Sequence, residues 1–111
     1  MKEADSLERL VTITSPSGLH ARPAAQLARM ASRFRAILTL ERLTPPPAAP
    51  GEDAPENEEA DCRSIMSLLM LAAGQGTCLR LRAEGRDAAN ALRSVGDFFE
   101  SGFNGADAKE G

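Results

Sequence analysis

The chain has 111 residues, 42% hydrophobic and 26% charged, the balance of one small soluble domain with a single core. Four Phe and no Trp or Tyr leave that core to Leu, Ile, Val, Ala and Met. A net charge of −3 with scattered basic residues excludes nucleic acid as the main partner, because phosphate backbones call for clustered Lys and Arg.

In chain order, "RLVTIT" (9–14) alternates, with Val11 and Ile13 on one face and Leu10, Thr12 and Thr14 on the other, as a half-buried strand does. "SPSG" (15–18) reads as a turn. A helix is predicted from Ala21 to Arg33, where Ala24, Leu27 or Ala28, Ala31 and Phe34 recur at helical spacing. "AILTLE" (36–41) returns to period two, with Ala36, Leu38 and Leu40 inward. The stretch 43–59 holds five prolines and many acidic residues, and little in it can be buried, so it reads as a loop insertion.

"ADCRS" (60–64) is a short strand leading to a helix with Ser64 as its N-cap. "IMSLLMLAA" continues that helix, and "GQG" (74–76) stops it as a glycine C-cap. "TCLRLRAE" (77–84) places Leu79, Leu81 and Ala83 inward and Cys78, Arg80 and Arg82 toward water. Gly85 turns the chain. Asp87 is placed to cap a last helix with Ala88, Ala91, Leu92, Val95 and Phe98 or Phe99 on its buried face, and the tail after Phe103 is expected to fray. The order β-α-β-β-α-β-α suits an α+β, two-layer sandwich: a four-stranded antiparallel sheet covered on one face by three helices. The outward Thr and Arg residues fit a sheet whose other face meets water.

Cys62 and Cys78 show neither C-x-x-C spacing nor a partnering His cluster, so neither a metal site nor a dithiol centre is expected. The charged opening "MKEADSLERL" does not read as a secretory leader, and no apolar run approaches the ~20 residues of a membrane span. A cytoplasmic protein without membrane insertion is the expectation.

His20 is the one histidine. Gly18 allows an unusual backbone angle just before the predicted helix, and Pro23 suits its first turn, where a missing N–H costs nothing. The ring is thereby set at a helix start, beside unpaired amides and the positive end of the helix dipole. Imidazole titrates near neutrality, so a neutral nucleophilic ring is at hand at pH 7. If it took a phosphoryl group, the amides and the Arg22 guanidinium would meet the dianion. A shallow, exposed site would give an acceptor its in-line approach. Two other readings stay open from the residues alone: His20 as a mere polar cap, and Ser17 with His20 as a hydrolase pair. The second lacks an acidic residue placed to orient the base.

The segment "GLHARPAA" (18–25) resembles the active-site signature of the histidine-containing phosphocarrier (HPr) family of the phosphoenolpyruvate-dependent sugar phosphotransferase system. "CRSIMSLLMLAAGQGTCLRLRAEG" is similar to the family's second segment, and "EGRDAANAL" to the opening of its last helix. The resemblance spans about 9–103 apart from the insertion at 43–59. It implies a phosphocarrier, with His20 phosphorylated on its ring, Arg22 steadying the phosphate, and Ser17, Gly18 and Ala21 in the loop around it. It implies Enzyme I as donor and EIIA-type transporter components as acceptors. It also implies that Ser64 is the serine which, in some bacteria, a kinase/phosphorylase marks for regulation. Ile65, Met66 and Leu69 would form the docking stripe. From the residues alone, Arg63 and Arg33 fit either its rim or, better, an ordinary solvated face. No cofactor, no metal and a monomer are expected. The alternative function is a regulatory module of the same fold, acting by protein docking rather than in sugar transport. Departures from the family pattern are the insertion, Leu69 where methionine is common and Ser67 where glycine is frequent. They bear on partner choice rather than on His20 or Arg22.

Overall fold

The computed structural model describes residues 6–43, 59–71 and 73–103. What was expected of 44–58 and of the tail after Phe103 lies outside the described residues. The elements are β1 (Ser6–Thr12), α1 (Ala21–Ala31), β2 (Ala36–Arg42), β3 (Glu59–Asp61), α2 (Ile65–Met70), β4 (Cys78–Gly85) and α3 (Ala88–Glu100). The strands form one antiparallel sheet in the order β1-β4-β2-β3.

Strand parity decides the layers. Val11, Leu38, Leu40, Leu79, Leu81 and Ala83 point one way and are buried beneath the helices, each large side chain contributing about 1.5–3 kcal/mol by leaving water. On the opposite face, Arg80 and Arg82 of β4 reach Glu8 of β1 and Glu41 of β2, the tightest pair being Arg80–Glu41 at 2.7 Å. Cross-strand pairs of opposite charge suit an open sheet face, although exposed pairs contribute little to stability.

α1 presents Ala24, Leu27 and Ala31 to the core, and α3 presents Ala91, Val95, Phe98 and Phe99. Both phenylalanines left open by the periodicity are thus buried. They close on Phe103, with ring centroids 5.2 and 5.3 Å away. Phe103 has a positive φ of 70°, costly for a residue with a side chain, and its ring burial offsets that cost.

Four details differ from the sequence expectations. β1 starts at Ser6 and ends at Thr12, rather than spanning 9–14, because Ser6 to Thr12 pair with Glu84 to Cys78. α2 ends at Met70 with Leu71 as its C-cap, so "GQG" lies beyond the helix and does not cap it. Asp87 occupies the N-cap position of α3, but its carboxylate makes no cap bond; it accepts the amide of Arg35 at 2.8 Å. α1 ends at Ala31 rather than Arg33, because the Arg33 amide closes a tighter turn on the carbonyl of Met30 at 3.1 Å.

Candidate functional site

The site is built at the join between "SPSG" and α1. The carbonyl of Ser15 accepts the amide of Gly18 at 3.0 Å, closing a four-residue turn with Pro16 at the position its fixed φ favours. Gly18 takes φ +68°, a left-handed angle open to glycine. The next amide, of Leu19, donates to the carbonyl of Ala73 at 2.9 Å, and Leu19 buries its side chain. Buried Leu19 and buried Gly18 thus anchor the loop, leaving Ser17 and His20 exposed.

His20 is the N-cap of α1, in extended conformation (φ −92°, ψ −171°). Its carbonyl accepts the amide of Ala24 at 3.0 Å. Its side chain makes no capping hydrogen bond, which rules against the polar-cap reading. The amides of Ala21 and Arg22 have no partner among the described residues, and Pro23 has no amide hydrogen. The first turn carries no acidic residue. An exposed imidazole therefore stands at a helix start whose free donors and dipole are not neutralised, the condition that favours an incoming anion. Arg22, exposed in the same turn, adds a forked cation suited to phosphoryl oxygens. Among the described residues no carboxylate is hydrogen-bonded to His20, so the hydrolase reading lacks a group to orient the base.

α2 flanks this site and packs against α1. Ser64 caps it as expected: its Oγ accepts the amide of Ser67 at 3.1 Å. Only Leu68 of the helix is buried. Ile65, Met66 and Leu69 are exposed, and so is Met70, which the sequence reading left out. Its place four residues after Met66 was the available signal, since such residues share a helix face. Arg63 pairs with Asp61 at 3.5 Å. Among the described residues no cluster of His, Cys, Asp or Glu suits a metal ion, and no helix is long and apolar enough to cross a membrane.

The loop 73–77 also bears on the site, although no motif pointed to it. Besides the Ala73–Leu19 bond, Gly76 donates to Ile13 at 2.8 Å, Ile13 to Thr77 at 3.0 Å, and Gln75 Nε2 to the carbonyl of Thr14 at 3.1 Å. The segment leading to His20 is held from both ends.

A four-stranded sheet with three helices on one face, and a lone exposed histidine opening the first of them, defines the class of small histidine phosphocarrier domains. Comparison with known proteins agrees. The family described as "PTS HPr component phosphorylation site" matches residues 7–101. The phosphocarrier protein HPr of Xylella fastidiosa is 35% identical over 98 residues, covering 88% of this chain and 96% of that protein. The phosphocarrier protein NPr of Shewanella violacea is 37% identical over 100 residues, covering 90% and 96%. The crystal structure of HPr-C-His from Thermoanaerobacter tengcongensis superposes with a TM-score of 0.72 at 32% identity, covering 88% and 96%. The chain belongs to the HPr family of the phosphotransferase system.

Proposed function

We propose that this protein accepts a phosphoryl group on the ring of His20 from Enzyme I, drawn ultimately from phosphoenolpyruvate, and passes it to EIIA-type transporter components. The observation that carries this reading is an exposed histidine that leaves the first turn of α1 uncapped. A ring nitrogen lone pair attacks phosphorus, the N–P bond forms, and the bond from phosphorus to the donor's leaving group breaks. The dianion that results meets the amides of Ala21 and Arg22 and the Arg22 guanidinium. The loop residues Ser17 and Gly18 bound the same space. On transfer the acceptor's nucleophile attacks from the solvent side, the N–P bond breaks, and the ring recovers its lone pair. The chain works in the cytoplasm as a single HPr-like domain and a monomer, without cofactor or metal.

Donor and acceptor dock on the apolar surface of α2. Its exposed Ile65, Met66 and Leu69 are more apolar side chains than a six-residue surface helix needs for its own packing, which marks a contact surface. Flexible methionines suit one surface that serves several partners. Ser64 is the regulatory position, where a kinase/phosphorylase adds a phosphate that meets the start of α2 and adds charge to the docking surface.

Likeness to the Bacillus subtilis catabolite repression protein Crh, 29% identical with a TM-score of 0.57, favours a second reading, a regulatory module that acts by docking. One assay separates the two. The protein is mixed with phosphoenolpyruvate and Enzyme I, and an acid-labile phosphate absent from His20→Ala is sought. Its onward passage to an EIIA-type component supports the carrier, and a stable phosphoprotein that no such component discharges supports the regulator. Absence of label in the wild type contradicts both.

A further inference from the structure

Arg42 ends β2 on the same inward face as Leu38 and Leu40, and it is only 5% exposed. Among the described residues it pairs with no carboxylate. Its Nη1 donates instead to the carbonyl of Leu71, the C-cap of α2. A buried charge is weak evidence for stability, because an apolar side chain of similar volume commonly serves as well or better. A cation in this place is better explained by what it fixes. It satisfies a carbonyl at the end of α2 and lies at the negative end of that helix.

Two residues beyond Leu71 stands Ala73, whose carbonyl holds the Leu19 amide at 2.9 Å. A Cβ on Gly18 would lie 2.7 Å from that oxygen, so the loop before His20 rests directly on it. The Arg42 guanidinium is thus fastened to Leu71, two positions before the residue that holds the backbone aiming the imidazole. We propose that Arg42 is a positioning residue for phosphoryl transfer at His20, acting through Leu71 and Ala73 on the Gly18–Leu19 backbone. This rests on the phosphocarrier reading above.

The test compares wild type, Arg42→Met and Arg42→Lys in steady-state phosphorylation by Enzyme I and phosphoenolpyruvate, with thermal unfolding measured on each. Buried Arg42 touches no partner, so KM for the carrier is expected to stay within about twofold of wild type. Misaiming the ring lowers kcat, by about tenfold in Arg42→Met. Arg42→Lys keeps a charge and a donor but loses the planar fork, and is expected about threefold below wild type. A kcat equal to wild type in folded Arg42→Met overturns the proposal, as does a change confined to KM. Should Arg42→Met fail to fold, Arg42→Lys decides alone: unchanged kcat overturns the proposal, and the threefold loss at constant KM supports it. A wild type that takes no phosphate on His20 sinks the phosphocarrier reading itself, a result distinct from labelled wild type with insensitive variants.

Discussion

The amide of Leu19 bonds the carbonyl of Ala73 across a separation of more than fifty positions in sequence, at 2.9 Å, and Gly18 leaves no room on that oxygen for any side chain. Gly18→Ala combines a left-handed backbone angle with a contact that must push one loop off the other. The expected loss is about 2–4 kcal/mol in urea unfolding, with slower phosphorylation of His20 in the fraction that remains folded. Unchanged stability would show that the two loops are not locked as described.

Ser64 is a helix cap before it is anything else. Ser64→Ala removes the bond to the Ser67 amide and is expected to cost about 1 kcal/mol, whereas Ser64→Gly costs only a few tenths. Equal losses for the two, measured by denaturant unfolding, would contradict the capping role.

Cys62 gives a pH dependence with a definite sign. Burial pushes its thiol well above the usual range, and the charge of Asp61 adds to the effect. The folded state keeps the proton that the unfolded chain releases from about pH 8.5 upward. Stability is therefore complete below that pH and falls above it, by up to about 1.4 kcal/mol per pH unit. The chain has no Tyr to obscure the slope. Urea unfolding at pH 8, 9 and 10 should show the fall, and Cys62→Ala should flatten it. A thiol reagent should modify half-buried Cys78 well before Cys62.

Met66 is 68% exposed and contributes little to the core. Met66→Glu should leave the unfolding free energy within about 0.5 kcal/mol of wild type. It should raise KM for Enzyme I at nearly constant kcat, the opposite split to that of Arg42→Met. Unaltered KM would move the docking surface away from α2.

Much of this was legible in the sequence because it is local. Turn chemistry in "SPSG", the Gly18 angle, the Ser64 cap and the strand parity of 36–41 and 77–84 depend on neighbours a few residues away. What escaped depends on distant partners. Arg42 lies just past the predicted strand with no motif to mark it, and only the end of α2 overhead makes it a buried donor. Asp87 has the residue type of a cap, yet the Arg35 amide takes its carboxylate. "GQG" reads as a helix stop, whereas its residues fasten the loop before His20 through bonds to Ile13 and Thr14. β1 extends back to Ser6 because β4 offers a partner there, with no apolar alternation to announce it.

The most direct measurement uses the fact that the chain contains one histidine. Protein carrying 15N in its imidazole is treated with Enzyme I and phosphoenolpyruvate and followed by 15N and 31P resonance. The account predicts one new 31P signal coupled to a ring nitrogen of His20, which vanishes on mild acidification. A 31P signal on a hydroxyl oxygen, with both ring nitrogens unshifted, would contradict it.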